Sequence, residues 1–232
     1  MFFIKRRSVV IVSVLILTFI TFLVCFTSLD KNPIGSAELK KPKIVLDAGH
    51  GGIDPGVLGV TSYVKESQIN LDIVLKAEKI FESAGFEVVL TRKTDVGLYG
   101  VATKNRKKKD MAKRKEIIEN ASPDIVVSVH LNEYSLKSRR GGQVFYQKGN
   151  LESENLAISV QKEINSLYDG VKDYNALTAD LFMLKCTTAP SVIVECGFLS
   201  NVEDEKLLLT EEFREQVAYS IFKGVVGYIS SK

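Results

Sequence analysis

The chain has 232 residues, of which 45% are hydrophobic and 25% charged, and its formal net charge is +3. These values are ordinary for a globular protein, and the length allows one domain with an appendage or two small domains. Because residues 1–30 contribute +2 of the charge, the remaining body is close to +1, which excludes a nucleic-acid-binding surface over its bulk.

An apolar run of 18 residues, 9–26, follows the basic residues Lys5, Arg6 and Arg7. As a helix this run would span about 27 Å, close to the ~30 Å hydrocarbon core of a membrane. The basic residues predict a cytoplasmic N-terminus at residues 1–8 and an exported body beyond the membrane. The run exceeds the usual apolar core of a signal peptide, so we expect an uncleaved anchor that holds the body on the outer face of the cytoplasmic membrane. Small residues at 35–37 leave a cleaved signal segment and secretion as the alternative.

Polar residues and two prolines at 27–42 predict a tether between this segment and a body at residues 43–232. Strand-like and helix-like patterns then alternate along the body. The predicted strands are 44–48, 86–90, 125–129, 144–146, 181–184 and 192–194, and the predicted helices are 66–84, 111–120, 153–168 and 211–229. This alternation predicts the α/β class, with a mostly parallel sheet and helices on both of its faces.

The chain has only two histidines, and each comes at the end of an apolar strand-like run. His50 follows the first strand within a glycine-rich turn, and His130 ends the strand that begins at residue 125. In open α/β sheets, ligands bind beyond the carboxyl ends of the strands. Two imidazoles at that edge favour a zinc site, although each histidine taken alone could be a buried core residue.

Two glutamates accompany the histidines. Glu195 directly follows the buried run 192–194, and burial there would raise its pKa into the range that suits a general base. The alternative for Glu195 is an ion pair with one of the many lysines. Glu66 opens the first helix, where an acidic residue also simply favours the positive end of the helix dipole.

Two further features leave alternatives open. Cys186 and Cys196 could form a disulfide in an exported domain or could remain two buried thiols. Eight basic residues lie between positions 104 and 115, in a stretch that is either a solvated helix face or a contact with an anionic polymer, a membrane surface or a partner protein.

Four short motifs occur in one order along the body. They are 47–52 (Asp-Ala-Gly-His-Gly-Gly), 65–71 (Lys-Glu-Ser, then Asn-Leu), 128–132 (Ser-Val-His-Leu-Asn) and 194–201 (Val-Glu-Cys-Gly-Phe-Leu-Ser-Asn). Together they resemble the zinc-dependent N-acetylmuramoyl-L-alanine amidases of the type-3 family, over about residues 43–230. The resemblance implies a single zinc amidase domain with a six-stranded sheet, Zn²⁺ held by His50, Glu66 and His130, and Glu195 as the catalytic glutamate.

Within that family, the sequence is most similar to the germination-specific branch of spore formers. This similarity implies hydrolysis of the amide between N-acetylmuramic acid and L-alanine in peptidoglycan, as the first step toward muramic-δ-lactam in spore cortex. The absence of a wall-binding repeat and of an autoinhibitory insert after Asn132 leads us to expect an activating partner protein. The alternatives are a zinc peptidase acting on wall stem peptides and a non-catalytic wall-binding protein.

Overall fold

A computed structural model describes residues 41–102 and 104–232. The apolar segment 9–26 and most of the tether therefore lie outside the described residues, among which no helix is long and apolar enough to cross a membrane. The strands are β1 (Lys43–Ala48), β2 (Glu87–Leu90), β3 (Ile125–Asn132), β4 (Gln143–Tyr146), β5 (Leu177–Thr178) and β6 (Ser191–Phe198). The helices are α1 (Glu66–Ser83), α2 (Arg106–Ala121), α3 (Leu151–Asn165), α4 (Phe182–Lys185), α5 (Val202–Leu209) and α6 (Glu211–Ser230).

The six strands form one sheet in the order β2-β1-β3-β6-β4-β5. All neighbouring pairs are parallel except β4 and β6, which run antiparallel. The predicted α/β domain with a six-stranded, mostly parallel sheet is confirmed. The register pairs His130 of β3 with Glu195 of β6, in the carboxyl-terminal halves of the two strands. Both strands continue beyond their predicted ends at residues 129 and 194, to Asn132 and Phe198.

Side chains of the central strands alternate between two buried clusters, one on each face of the sheet. In β1, Ile44 and Leu46 join the larger cluster with α1, α3 and α6, whereas Val45 joins a smaller cluster with residues of α2 and α4. Helices therefore cover both faces, as the sequence predicts. Because the central strands are buried on both sides, their sequences read as continuous apolar runs rather than alternating ones.

The predicted secondary structure is wrong where an apolar run is short, and a predicted helix start is wrong where the apolar residues begin only after the first turn of the helix. Residues 181–184 were predicted as a strand, which is wrong, since α4 occupies Phe182–Lys185 and the edge strand lies earlier, at β5. Short apolar runs do not distinguish a strand from a buried helical turn. Helix α2 begins at Arg106, five residues before the predicted start. The prediction starts late because the first turn of this helix is basic and carries no apolar residue.

Cys186 and Cys196 are both buried free thiols. Cys186 belongs to the smaller cluster and Cys196 to the larger one, so the sheet lies between them. The structure therefore has the two-thiol alternative rather than the disulfide. Burial also raises the pKa of both thiols, which keeps them protonated and unreactive at neutral pH.

Candidate metal centre and catalytic site

His50 occupies a sharp turn two residues after β1 ends. Its backbone has a φ of +61°, a left-handed conformation that is uncommon for a residue with a side chain. The buried guanidinium of Arg114 donates a hydrogen bond to the carbonyl oxygen of His50 at 2.6 Å and so supports this conformation. The preceding Gly49 is required for space, since a Cβ atom there would come within 2.2 Å of the His130 ring.

Glu66 joins the two histidines. It is the first residue of α1, is 1% exposed, and places Oε1 3.3 Å from His50 Nε2 and 3.1 Å from His130 Nδ1. The same oxygen accepts a hydrogen bond from the backbone N–H of Leu131. Burial raises the pKa of Glu66, but hydrogen bonds and charge interactions with the two histidines outweigh burial and hold that pKa far below its ordinary value. Glu66 is therefore a carboxylate at neutral pH.

Asp54 is a site residue that the sequence reasoning missed. Its Oδ1 lies 3.0 Å from His50 Nδ1, on the side of the imidazole opposite the Nε2 atom that faces Glu66. Burial raises the pKa of Asp54, but the charge of His50 and, more weakly, that of Lys107 lower it below its ordinary value. The two atoms are at ion-pair distance, although Nδ1 has no hydrogen-bond partner in this structure, and a carboxylate in this position can orient a metal-binding imidazole. The sequence feature that could have indicated this role is the position of the aspartate, four residues after His50 and in the same turn.

The donor set fits a zinc ion. His50, Glu66 and His130 each offer one ligand atom, and these atoms lie within 4.8 Å of one another. Zinc binds nitrogen and carboxylate oxygen at about 2.0–2.2 Å in a tetrahedron, so neighbouring donor atoms are expected about 3.3 Å apart. The two separations from Glu66 Oε1, 3.3 and 3.1 Å, meet this requirement. Three protein donors leave the fourth tetrahedral position open, as in catalytic zinc sites.

Glu195 lies on β6 beside His130 and lines the same cavity as both histidines. Its Oε2 atom is buried and has no hydrogen-bond partner. Within the described part of the chain it forms no ion pair with a lysine, contrary to the alternative considered from sequence. Burial, which is the largest influence, raises the pKa of Glu195 to about 7. A carboxyl group with this pKa can both accept and release a proton near neutral pH.

A buried charge network lies beneath the His50 turn. Asp47 accepts hydrogen bonds from Thr91, Arg114 and Ser128. A second arginine, Arg92, donates to the carbonyl oxygens of residues 48 and 49. The His50 turn is thus held by two arginines that were not predicted as site residues. Arg114 belongs to the basic run, and no local sequence pattern indicates that it is buried.

We expect Asp47→Asn to destabilise the domain at pH 7 by about 1.5–3 kcal/mol, the range for hydrogen bonds to charged groups, because it removes one of the two carboxylates that hold the buried Arg114, the other being Asp110. Burial raises the pKa of Asp47, but the charge of Arg114 and hydrogen bonds from Ser128 and Thr91 lower it from 3.8 to about 2. A lowered pKa contributes stability above pH 3.8 that is lost as the pH falls toward 2. Denaturant unfolding at pH 7 and pH 3 measures this, and the destabilisation should be smaller at pH 3. An equal effect at both values would contradict the assignment.

The fold and the donor set together define a class of protein: an α/β domain with a candidate metal-dependent hydrolytic site at the carboxyl ends of its central strands. The sequence profile described as N-acetylmuramoyl-L-alanine amidase, the amidase 3 family, matches residues 44–226. The chain belongs to this family.

Similar proteins agree with that membership. The germination-specific N-acetylmuramoyl-L-alanine amidase of Bacillus subtilis (strain 168) is 29% identical over 210 residues, which cover 89% of this chain and 88% of the relative. The CwlD amidase of Clostridioides difficile, solved in complex with the GerS lipoprotein, is 38% identical with a TM-score of 0.79, and the match covers 83% of this chain and 100% of that one. The catalytic domain of CwlV from Bacillus (Paenibacillus) polymyxa is 30% identical with a TM-score of 0.71, over 82% of this chain and 99% of that one.

Proposed function

We propose that the protein is a zinc-dependent amidase that cuts peptidoglycan at the amide between the lactyl group of N-acetylmuramic acid and L-alanine. The observation that carries this proposal is the buried, unpartnered Oε2 atom of Glu195, a residue that lines the same cavity as His50 and His130, which with Glu66 form the donor group. Family membership supports the choice of bond, since the amidase family is named for it.

In this proposal His50, Glu66 and His130 hold the zinc ion, and Asp54 orients His50. Zinc, when bound, lowers the pKa of water and polarises the scissile carbonyl. Glu195 takes a proton from the attacking water, whose oxygen forms a bond to the carbonyl carbon. As the carbon–nitrogen bond breaks, Glu195 delivers that proton to the leaving nitrogen. The products are a lactyl carboxylate on the glycan and a stem peptide with a free amine.

Two alternatives give different products. A zinc peptidase would cut between residues of the stem peptide, and a non-catalytic wall-binding protein would leave peptidoglycan intact. Mass spectrometry of purified peptidoglycan after incubation with the protein and zinc distinguishes all three. We expect glycan strands that have lost their stem peptides, together with free peptides that begin with L-alanine. Peptides cut at an internal bond would contradict the amidase proposal and favour the peptidase.

We further propose a role in spore cortex, where removal of the stem peptide would be the first step toward muramic-δ-lactam. The support is the similarity to a germination-specific amidase and to the CwlD amidase. The substrate places the action of the domain outside the cytoplasm. Residues 9–26 would anchor it there, or their cleavage would release it.

We also propose that a partner protein raises the activity or the zinc affinity of the domain. The support is that one relative was solved in complex with a lipoprotein, and that Glu66 must dock from the start of α1 to complete the donor group. A partner that binds only the ordered form would raise apparent zinc affinity by shifting the population. We expect the protein purified alone to bind zinc substoichiometrically and to cleave peptidoglycan slowly, as measured by elemental analysis and muropeptide release. A full equivalent of zinc with full activity in isolation would contradict this expectation.

A further inference from the structure

A cavity of about 620 Å³ adjoins the candidate zinc donors and has two unlike walls. One wall is apolar and includes Leu181 and Phe182, which are 42% and 45% exposed although they are large hydrophobic residues. The other wall is the first turn of α2, where Arg106 and Lys107 line the cavity. Cavities of this size hold a dipeptide-sized group, so the walls are placed to contact whatever flanks the scissile bond.

The basic run divides into three groups in the structure. Arg114 is buried beneath the His50 turn, and Arg106 and Lys107 lie at the cavity. The remaining lysines do not line this cavity, and Lys108 and Lys109 in particular are exposed. The solvated-face interpretation therefore holds for only part of the run.

The basic residues in the first turn of α2 are electrostatically unfavourable for that helix. The first turn of α2 has no acidic residue, and its N-cap Asn105 makes no side-chain hydrogen bond to the helix. The N-terminus of a helix is its positive end, so basic residues there are electrostatically unfavourable. An anion bound at this turn would relieve the repulsion.

The neighbouring acidic groups are already engaged. Asp110 accepts hydrogen bonds from Arg114 Nε and from the backbone N–H of Leu98, and Asp54 lies against His50. Arg106 donates through Nε to the carbonyl oxygen of Ala102 and lies over the Tyr99 ring, 5.8 Å from its centroid, while its terminal nitrogens make no hydrogen bond or ion pair among the described residues. Lys107 likewise forms no ion pair in that part of the chain. These two cations are therefore available to an anionic ligand.

We propose that Arg106 and Lys107 bind a free carboxylate of the stem peptide and thereby select for it. This inference rests on the proposed amidase function. The second residue of the stem peptide carries an α-carboxyl group that is either free or amidated, and it lies within about 7 Å of the scissile bond, since one residue spans at most ~3.6 Å. An amide in its place would have no charge to offer the two cations.

The test compares two soluble disaccharide–tripeptide substrates that differ only in whether this α-carboxyl is free or amidated. We expect the protein with zinc bound to prefer the free acid by about tenfold in kcat/KM, the lower end of what a charged hydrogen bond contributes, with the difference mainly in KM. The double variant Arg106→Gln, Lys107→Gln should bring the ratio close to one at unchanged zinc content. The control variant Lys108→Gln, Lys109→Gln loses the same charge from the same helical turn, away from the cavity, and should keep the preference.

The outcomes separate this inference from the function on which it rests. Cleavage of both substrates with equal kcat/KM by the unmodified protein would overturn the carboxylate site and leave the amidase function in place. The same holds if the control variant loses the preference as fully as the cavity variant, because the effect would then be one of overall charge. Cleavage of neither substrate by the zinc-loaded protein, even at the slow rate expected without a partner, would overturn the proposed function and the inference together.

Discussion

Replacing His50 or His130 with alanine is expected to abolish zinc binding and amidase activity together. Each substitution removes one of three protein donors whose ligand atoms lie within 4.8 Å of one another. Loss of a group that only orients a ligand already costs about 10–100-fold in metal affinity, so loss of the ligand itself should cost more. Elemental analysis of the purified variants and competition with a zinc chelator measure the effect.

The matched control for this prediction is Asp54→Asn. It leaves all three donors in place and changes only the carboxylate 3.0 Å behind His50 Nδ1. Its zinc affinity should fall by about 10–100-fold, less than the loss in either histidine variant. Circular dichroism of each variant reports whether the fold is kept. A full equivalent of tightly bound zinc in the folded His50→Ala or His130→Ala protein would refute the assigned donor set.

Replacing Glu195 with alanine is expected to remove turnover while leaving zinc and the fold intact. The side chain is not part of the donor group, yet its unpartnered Oε2 lies in the same cavity. A general acid–base group contributes about 10²–10⁴ in rate, and because one residue serves both proton transfers we expect the upper end. The measurement is kcat on purified peptidoglycan, together with zinc content.

Glu195→Gln provides the second variant, because it keeps the shape of the side chain but cannot accept the proton. Both variants should lose activity to a similar extent if proton transfer is the role. Recovery of activity in the glutamine variant would indicate a packing role instead. A loss of kcat under roughly threefold, far below the range for acid–base catalysis, would indicate that another group transfers the proton.

Much of the fold could be predicted from local sequence patterns. Apolar runs of strand length alternating with amphipathic helices indicate a parallel sheet covered on both faces. In such a sheet the carboxyl ends of neighbouring strands share an edge, so His130 and Glu195 could be placed together before their pairing in β3 and β6 was seen. Resemblance to a family added Glu66, whose position at the start of α1 has no distinctive local pattern. The zinc and proton-transfer roles of these residues stay predictions.

The sequence by itself determined the class of the sheet, the placement of His50, His130 and Glu195 in or just after the carboxyl-terminal halves of their strands, and the family motifs. Each of these depends on a spacing of a few residues, which the chain carries locally. The tertiary structure alone decided which charges are buried and which face the cavity. Asp47 and Arg114 are 67 residues apart, and only packing of α2 against β1 brings them together beneath the His50 turn. Burial is a property of the assembled layers, so one basic run could contain a buried arginine, two cavity cations and exposed lysines without any local signal separating them.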